Sequence, residues 1–110
     1  NQDFHCALDV TMHYIGGKWK TVVLWYLRKE KKRFGELKAL IPDITDKMLS
    51  LQLRALTEDG IISRTVYPEV PPRVEYELTE EGKSLVPVIE ALAKWGKHKA
   101  QEGGELVEYV

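Results

Sequence analysis

The one cysteine of the chain, Cys6, is the residue best suited to covalent chemistry. It follows His5 and opens the stretch "CALDVTMHYIGG", which predicts a short first helix ended by Gly16 and Gly17. The partial positive charge at a helix N-terminus stabilises a thiolate, the reactive form of a thiol. Because the chain has no second cysteine, oxidation could give only an adduct, a mixed disulfide or a bridge to Cys6 of a second copy. The alternative interpretation is a small buried hydrophobic residue.

The other residues that could hold a metal or act in catalysis are scattered along the chain. His5, His13 and His98 have no neighbours at metal-ligand spacing, since neither a CxxC nor an HxxxH pattern occurs. No loop has the G-x-x-x-x-G-K-[ST] spacing that cradles phosphates, and no nucleophile is paired with a base. The sequence therefore predicts neither a metal site nor a cofactor, and it predicts that the protein is not an enzyme.

Polar and cationic residues instead follow one face of a predicted helix. In "TDKMLSLQLRALTEDG", Leu49, Leu53 and Leu56 recur at steps of four and three residues, which is typical of a face turned toward a core. The opposite face has residues at i, i+3, i+4 and i+7 that could contact another molecule, namely Lys47, Ser50, Leu51 and Arg54. This pattern predicts a helix that is anchored on one side and reads a partner with the other.

The ends of this helix are marked in the sequence. Thr45 is a favourable N-cap, Asp46 suits the first turn, and Gly60 is typical of the residue just after a helix end. A second predicted helix, over residues 35 to about 41, precedes it and ends before the turn "PDIT". The two helices and their tight turn make a helix-turn-helix pattern.

A predicted β-hairpin follows at once. The runs "IISRTVY" and "VEYEL" alternate like antiparallel strands, and the loop between them contains Pro68, Pro71 and Pro72. These prolines restrict φ and remove backbone donors, so the loop should be stiff. A helix-turn-helix followed by a hairpin is the order of a winged helix, in which a stiff wing would place Arg73 beside the DNA backbone or in the minor groove. Protection of a strand edge is the alternative purpose of the prolines.

Three further elements are predicted. "KWKTVVLWYLRKE" is apolar nearly all round and predicts a buried central helix, and a short extended piece is expected at Arg33-Phe34. The last helix has Thr79 as its N-cap and is kinked or restarted by Pro87. Beyond that proline, Val88, Leu92 and Trp95 share one face. We expect this face, together with the first helix, to form a homodimer; the alternative is that the helix only covers its own domain.

The composition is consistent with a single soluble domain. The chain has 110 residues, of which 44% are apolar and 30% charged, and no run is long enough to span a membrane. The net charge of −1 conceals a basic middle, because residues 18–73 contain 12 Lys and Arg against 7 Asp and Glu. Such a distribution favours one face that meets an anion, although a solvated mixed surface has the same pattern. One cysteine and no signal-peptide pattern predict a cytoplasmic protein without membrane contact.

Four segments of the chain are familiar as a set. "GGKWKTVVLWYL", "RFGELKALIPDITDKMLSLQLRALTEDGII", "YPEVPPRVEYELTEEG" and "LVPVIEALAKW" occur in this order and together cover most of residues 6–98. Together they resemble the HxlR family of bacterial winged-helix regulators, which are relatives of the MarR-type regulators. The resemblance implies a homodimer that binds operator DNA, with the helix from Thr45 in the major groove and the hairpin around Arg73 as the wing.

The resemblance also assigns expected roles to individual residues. Several members of this family sense quinones, aldehydes or hypochlorite through one cysteine just before the "GGKW" block, and Cys6 matches that place. We therefore expect Cys6 to respond to an oxidant or electrophile. DNA contacts are expected from ten residues: Thr45, Asp46, Lys47, Ser50, Leu51, Arg54, Arg73, Lys18, Lys20 and Arg64.

The expected fold is therefore α+β: one winged helix-turn-helix domain over residues 1–110, with a two-stranded wing and N- and C-terminal dimerisation helices. Residues 99–110 are expected to form a C-terminal tail without an assigned role. Two alternatives remain open from the sequence. One is a winged-helix regulator that does not sense thiol chemistry, and the other is a winged-helix module that binds a protein through an acidic or apolar outward face.

Overall fold

The computed structural model describes residues 3–103, which form helices and strands around one core and confirm the expected α+β winged fold. In chain order the elements are α1 (Ala7–Ile15), α2 (Lys20–Leu27), β1 (Lys32–Arg33), α3 (Phe34–Leu40), α4 (Asp46–Glu58), β2 (Ile62–Tyr67), β3 (Arg73–Leu78), α5 (Glu80–Ser84) and α6 (Val86–Gly103). The helix-turn-helix consists of α3 and α4, and the wing consists of β2 and β3.

The wing is an antiparallel hairpin, and its register shows which residues form the tip. Ile62 lies opposite Leu78 at the end near the core, and Tyr67 lies opposite Arg73 at the far end. Residues 68–72 therefore form the tip, and they contain all three prolines of the loop. The prolines keep backbone donors out of the tip, which suits an exposed end of a sheet.

A third strand, β1, extends the sheet beyond the predicted hairpin. The strand order is β1-β3-β2, and β1 pairs antiparallel with β3 through Lys32 opposite Tyr76 and Arg33 opposite Glu75. The extended piece expected at Arg33-Phe34 thus begins one residue earlier, and Phe34 is already the first residue of α3. A strand of two residues has no measurable periodicity, so the sequence does not indicate that this extended piece pairs with β3.

The core lies between α2, α3, α4 and the inner end of the sheet. The apolar face predicted for α4 is buried, with Leu49, Leu53 and Leu56 all at 0–1% exposure. Val23 and Leu27 of α2, at 0% and 2% exposure, confirm that α2 is the buried central helix. Fully burying a Leu or Val side chain stabilises a fold by about 1.5–3 kcal/mol, so α4 cannot rotate about its axis without a large loss.

Both ends of α4 have the predicted caps. The Oγ1 atom of Thr45 accepts a hydrogen bond from the backbone N–H of Met48 at 3.1 Å. At the other end Gly60 has φ +74°, a conformation that favours glycine, and the backbone N–H of Ile61 donates to the carbonyl of Leu56 at 3.0 Å. This is the Schellman pattern, which satisfies carbonyls left free at a helix end.

The C-terminal end of α4 is joined to α5 by a tight polar contact. The Thr79 hydroxyl donates to the carbonyl of Gly60 at 2.6 Å and accepts from the backbone N–H of Gly82 at 3.1 Å. Gly82 is buried, and a Cβ atom at this position would collide with the carbonyl oxygen of Ile61. The absence of a side chain at residue 82 therefore lets α5 seat directly on the end of α4.

The two outer helices differ from the rest in how little of their apolar surface is covered. In α1 only Ile15 is buried, and in α6 only Ile89 and Ala100 are. The interruption predicted at Pro87 is a restart, because α5 ends at Ser84 and α6 begins two residues later. The last helix extends to residue 103, into the segment 99–110 that is expected to be a tail, and the end of that segment lies outside the described residues.

Candidate nucleic-acid interface

The outer face of α4 presents the side chains that the helical spacing places there. Lys47, Ser50 and Arg54 are exposed, and Leu51 keeps 48% of its surface accessible. The buried leucines on the opposite side of the helix hold this face outward. The face offers a hydroxyl, an apolar contact and two cations within two helical turns, a set that suits the mixed donor, acceptor and methyl pattern of a DNA major groove.

The N-terminal end of α4 is also accessible. Thr45 and Asp46 are both exposed, and the Thr45 oxygen is engaged in the cap of the helix. The free backbone N–H groups and the positive end of the helix dipole favour an anion such as a phosphate, whereas the carboxylate of Asp46 opposes one. Asp46 is therefore better suited to accept a hydrogen bond from a base amino group, such as that of cytosine, than to lie beside a phosphate.

Several cations on this side of the protein are free to meet an anion. Within residues 3–103, no carboxylate lies within ion-pair distance of Lys47, Arg54 or Arg64. Arg64 is exposed on β2, where it lies opposite Tyr76. An unpaired surface cation keeps its full attraction for phosphate, because no local carboxylate has to be displaced first.

Lys18 and Lys20, at the start of the central helix, lie in different surroundings. Lys18 is exposed, and its Nζ atom lies 4.5 Å from the centre of the Trp19 ring. Lys20 is the first residue of α2 and is half-buried. A cation over an aromatic face loses conformational freedom but keeps its charge, so Lys18 remains able to approach a phosphate.

Arg73, the predicted wing cation, is not free. Its guanidinium carbon lies 4.1 Å from the centre of the Tyr67 ring, and its Nε atom lies 3.4 Å from a carboxylate oxygen of Glu69 and 3.7 Å from one of Glu75. The side chain is 38% exposed. Arg73 lies at the end of the wing, as its position before β3 predicts, but two carboxylates already compensate its charge.

The same cluster contains a lysine that sequence reasoning does not single out. Lys31 Nζ lies 3.2 Å from Oε1 of Glu75, whose side chain is only 15% exposed. The pairing of β1 with β3 brings Lys31 close to Glu75, and this contact is not evident in the sequence because that pairing is not. The contact of Arg73 with Glu75 does have a signal, since residues i and i+2 of a strand share a face.

The charges of this cluster support each other. For Glu75, burial is the strongest single influence and raises the pKa, but interactions with Lys31 and Tyr67 and the charges of Lys31 and Arg73 together outweigh it, so the pKa lies below its usual value. The Glu75 carboxylate in turn raises the pKa of Lys31. Both groups are therefore ionised at neutral pH.

The tip of the wing is apolar. Val70 is fully exposed, and prolines at 68, 71 and 72 surround it. The one charged residue between positions 68 and 72 is Glu69, which is paired with Arg73. Arg64, on the adjacent strand, is thus the wing cation that can meet a phosphate without first losing a carboxylate.

The outer helices α1 and α6 each expose apolar side chains, in contrast to the polar outer face of α4. The predicted contact residues Val88, Leu92 and Trp95 are 40%, 50% and 70% exposed. On α1, Leu8 and Met12 are 65% and 43% exposed. Large apolar side chains exposed along a helix are typical of a surface that another protein covers.

Cys6 lies at the start of α1 and is exposed. It is the N-cap residue of the helix but its side chain makes no cap hydrogen bond. Asp9 places a negative charge at the positive end of α1, and its carboxylate accepts a hydrogen bond from the backbone N–H of His5 at 3.0 Å. The thiol is therefore accessible to a reagent, and its exposure argues against the alternative of a small buried hydrophobic residue.

The described residues contain neither a group of metal ligands nor a membrane-spanning helix. No three of their His, Cys, Asp and Glu side chains are grouped so that they could hold a metal ion. No helix between residues 3 and 103 is long and apolar enough to cross a lipid bilayer.

A helix-turn-helix with an exposed second helix, followed directly by a β-hairpin, defines the class of winged helix-turn-helix DNA-binding proteins. Within that class, the chain belongs to the HxlR-like helix-turn-helix family, whose model matches residues 14–103. It is a transcriptional regulator, and the family consists of regulators and not of enzymes, as the sequence predicts.

Two curated relatives and one solved structure illustrate the similarity. An uncharacterized HTH-type transcriptional regulator of Methanothermobacter thermautotrophicus is 52% identical over 97 residues, which cover 88% of this chain and 74% of that protein. The uncharacterized HTH-type transcriptional regulator YdeP of Bacillus subtilis is 51% identical over 98 residues, covering 88% and 77%. The redox regulator HypR in its oxidized form has a TM-score of 0.82 and 46% identity, covering 84% of this chain and 96% of that one.

Proposed function

We propose that the protein is a homodimeric regulator that binds specific sequences in double-stranded operator DNA in the cytoplasm. The observation that carries this proposal is the outer face of α4. Its two cations have no carboxylate partner among the described residues, and the buried leucines behind them keep the face turned outward. A helix held in this way can enter the major groove without reorganising the protein, so little conformational entropy is lost on binding.

Each residue of the face has a task that its chemistry suits. Arg54 can donate two hydrogen bonds to the major-groove edge of guanine, and Lys47 and Ser50 can reach base edges or nearby phosphates. Leu51, an apolar residue amid polar ones, suits the C5 methyl group of thymine, which is the one apolar feature of that groove. Thr45 and Asp46 would lie where the helix enters the groove.

The phosphate contacts in the proposal come from outside α4. Arg64 on the wing and Lys18 and Lys20 at the start of the central helix are the cations that we assign to the DNA backbone. Arg73 keeps its proposed place at the DNA-facing end of the wing, but its stacking on Tyr67 and its two carboxylates favour a role in holding the wing in shape.

The homodimer is proposed from the apolar surface of α1 and α6. An isolated helix of nine residues, such as α1, is marginal in water, and with one buried residue it gains little from its own domain. A second copy that covers Leu8, Leu92 and Trp95 would supply the missing packing. The two α4 helices of such a dimer would read half-sites spaced by about one helical turn, 10–10.5 bp, or a near multiple.

We further propose that Cys6 senses an oxidant or electrophile. The thiol is exposed on the same helix as the proposed dimer contact, so an adduct or a bridge between two copies of Cys6 would act on the arrangement of the subunits. The similarity to HypR, described as a redox regulator, supports this assignment. Bulk added at a packed interface typically costs about 1–3 kcal/mol, which is enough to shift one subunit against the other.

The operator sequence and its recognition by Arg54 can be tested together. Duplexes bound by the protein would be selected from a random pool, and the affinity of Arg54→Ala for the recovered sequence would be compared with that of the wild type. We expect a loss of about 1–3 kcal/mol and a relaxed preference at one base pair, because a guanine contact is removed.

Arg54→Lys is the matched control, since it keeps the charge but not the planar fork. It should retain the affinity for random DNA and still lose the preference. If Arg54→Ala changes neither affinity nor preference, α4 does not read the groove as proposed.

A further inference from the structure

The far end of the wing, where Tyr67 lies opposite Arg73, contains a group of charges that DNA binding as proposed above does not use. We call Lys31, Tyr67, Arg73 and Glu75 the Glu75 cluster. Its centre is the Glu75 carboxylate, which contacts Lys31 Nζ at 3.2 Å through Oε1 and Arg73 Nε at 3.7 Å through Oε2. One carboxylate therefore holds two cations that come from different parts of the chain.

The cluster is built into the sheet rather than formed by chance on the surface. The Glu75 side chain is 15% exposed, against 46% for Glu69, the other carboxylate beside Arg73. Glu75 is paired on both sides, with Arg33 of β1 on one and Thr65 of β2 on the other. Two neighbouring strands therefore fix the position of Glu75. The pKa of Glu75 lies below its usual value, and the carboxylate is thus charged under ordinary conditions.

Glu77, a glutamate on the same strand, provides a comparison for the ion pairs of Glu75. Glu77 is two residues further along β3 and shares its face, but it is exposed and has no ion-pair partner among the described residues. The two glutamates thus carry the same charge on the same strand face, and only one of them binds cations.

We propose that Glu75 is a positioning residue that withholds Lys31, and together with Glu69 also Arg73, from the DNA backbone, so that the wing offers Arg64 alone to phosphate. The inference rests on the proposed function, since it requires the wing to face DNA. Each cation that neutralises a phosphate adds affinity for any sequence and steepens the dependence on salt. A carboxylate that keeps two cations occupied therefore limits the part of the affinity that does not discriminate between sequences.

The test is the salt dependence of binding to a random-sequence duplex. Each phosphate contact contributes about 0.9 to the slope of log K against log salt concentration. Glu75→Gln should steepen the slope by about one contact, from Lys31, because Glu69 still pairs with Arg73. The affinity of this variant relative to the wild type should therefore rise about 3-fold between 200 and 50 mM salt. Glu77→Gln makes the same change in net charge two residues away and should leave the slope within half a contact of the wild type.

Arg73 provides a second measurement, and its first variant leaves Glu75 in place. Arg73→Ala alone should leave the slope unchanged, because Glu69 and Glu75 already compensate the arginine. In a Glu69→Gln/Glu75→Gln background, in which neither carboxylate remains, the same substitution should remove about one contact from the slope. A merely structural role of Glu75 would lower the affinity of Glu75→Gln without steepening its slope.

Distinct outcomes overturn the inference and the proposed function. If Glu75→Gln and Glu77→Gln have the same slope, or if Arg73→Ala alone flattens it by a full contact, Glu75 withholds nothing and the inference is wrong while DNA binding stands. A wild-type protein that binds neither selected nor random duplexes overturns the proposed function, and the inference with it.

Discussion

The thiol of Cys6 is open to solvent, and its reaction can be followed at a single atom because the chain has no other cysteine. Diamide takes two electrons and two protons from two thiols, so it would join Cys6 of each subunit by one S–S bond and be reduced to the hydrazine. We predict that such treatment changes operator affinity by about 5–150-fold, the usual range for coupling between two sites. Titration of the operator with treated and untreated protein, together with mass spectrometry of the Cys6 peptide, measures it.

Two variants test whether the response to oxidant comes from Cys6. Cys6→Ser should fold and bind DNA normally, because serine is a good N-cap residue, and should lose the response to oxidant. Met12→Leu removes another oxidisable side chain exposed on α1 and should retain the response to hypochlorite. Equal sensitivity of the wild type and Cys6→Ser, or an unmodified Cys6 peptide after treatment, would count against sensing by this cysteine.

Individual side chains differ in how well the sequence predicts their surroundings. The outward residues of α4 follow from the helical period, since positions i, i+3, i+4 and i+7 share a face. The environment of Arg73 does not follow, because Glu69 approaches it across the tip of the wing. Lys31 reaches Glu75 only through the pairing of β1 with β3. Contacts that depend on strand pairing leave little trace in local residue patterns.

At the scale of elements, the joint between α4 and α5 depends on one missing side chain. Gly82→Ala should lower the free energy of unfolding by about 1–3 kcal/mol, because a Cβ atom would collide with the Ile61 carbonyl and force the two helices apart. Gly35→Ala is the matched control, since a Cβ at that position of α3 meets no atom within 4 Å. This control should gain about 0.5–1 kcal/mol from better helix propensity.

Urea unfolding of both variants at one protein concentration would measure these effects. A Gly82→Ala protein as stable as the wild type would mean that α5 can move away from α4 without cost. A destabilised Gly35→Ala protein would show that any alanine in the short helices is harmful, and the comparison would then say nothing about the joint.

The elements themselves could largely be predicted. Thr45 and Gly60 mark the two ends of α4, because a hydroxyl at the N-cap and a positive φ after the last turn are local requirements. The sequence predicts a kink or a restart at Pro87, and the structure has the restart. It also predicts an extended piece at Arg33-Phe34, but not the pairing of that piece with β3, because two residues carry no pattern that names a partner strand.

At the scale of the whole molecule, the proposed dimer makes a separate prediction. Sedimentation equilibrium at micromolar concentration should show a dimer, and Trp95→Glu or Leu92→Glu should give a monomer, because a charge would be buried in the interface without a partner. Leu40→Glu is the control, as Leu40 is 42% exposed on α3, away from the outer helices in the chain. A wild type that remains monomeric while binding its operator would rule out the dimer.

The exposure of α1 has a consequence for how the cell could control this protein. Because Ile15 is its one buried residue, the ordering of α1 and the pairing of two chains would be parts of a single equilibrium. By mass action, the concentration of dimers would then vary with the square of the concentration of free chains. Operator occupancy would respond to the rate of synthesis more steeply than it would for a monomeric repressor, and dilution by growth alone could release the operator.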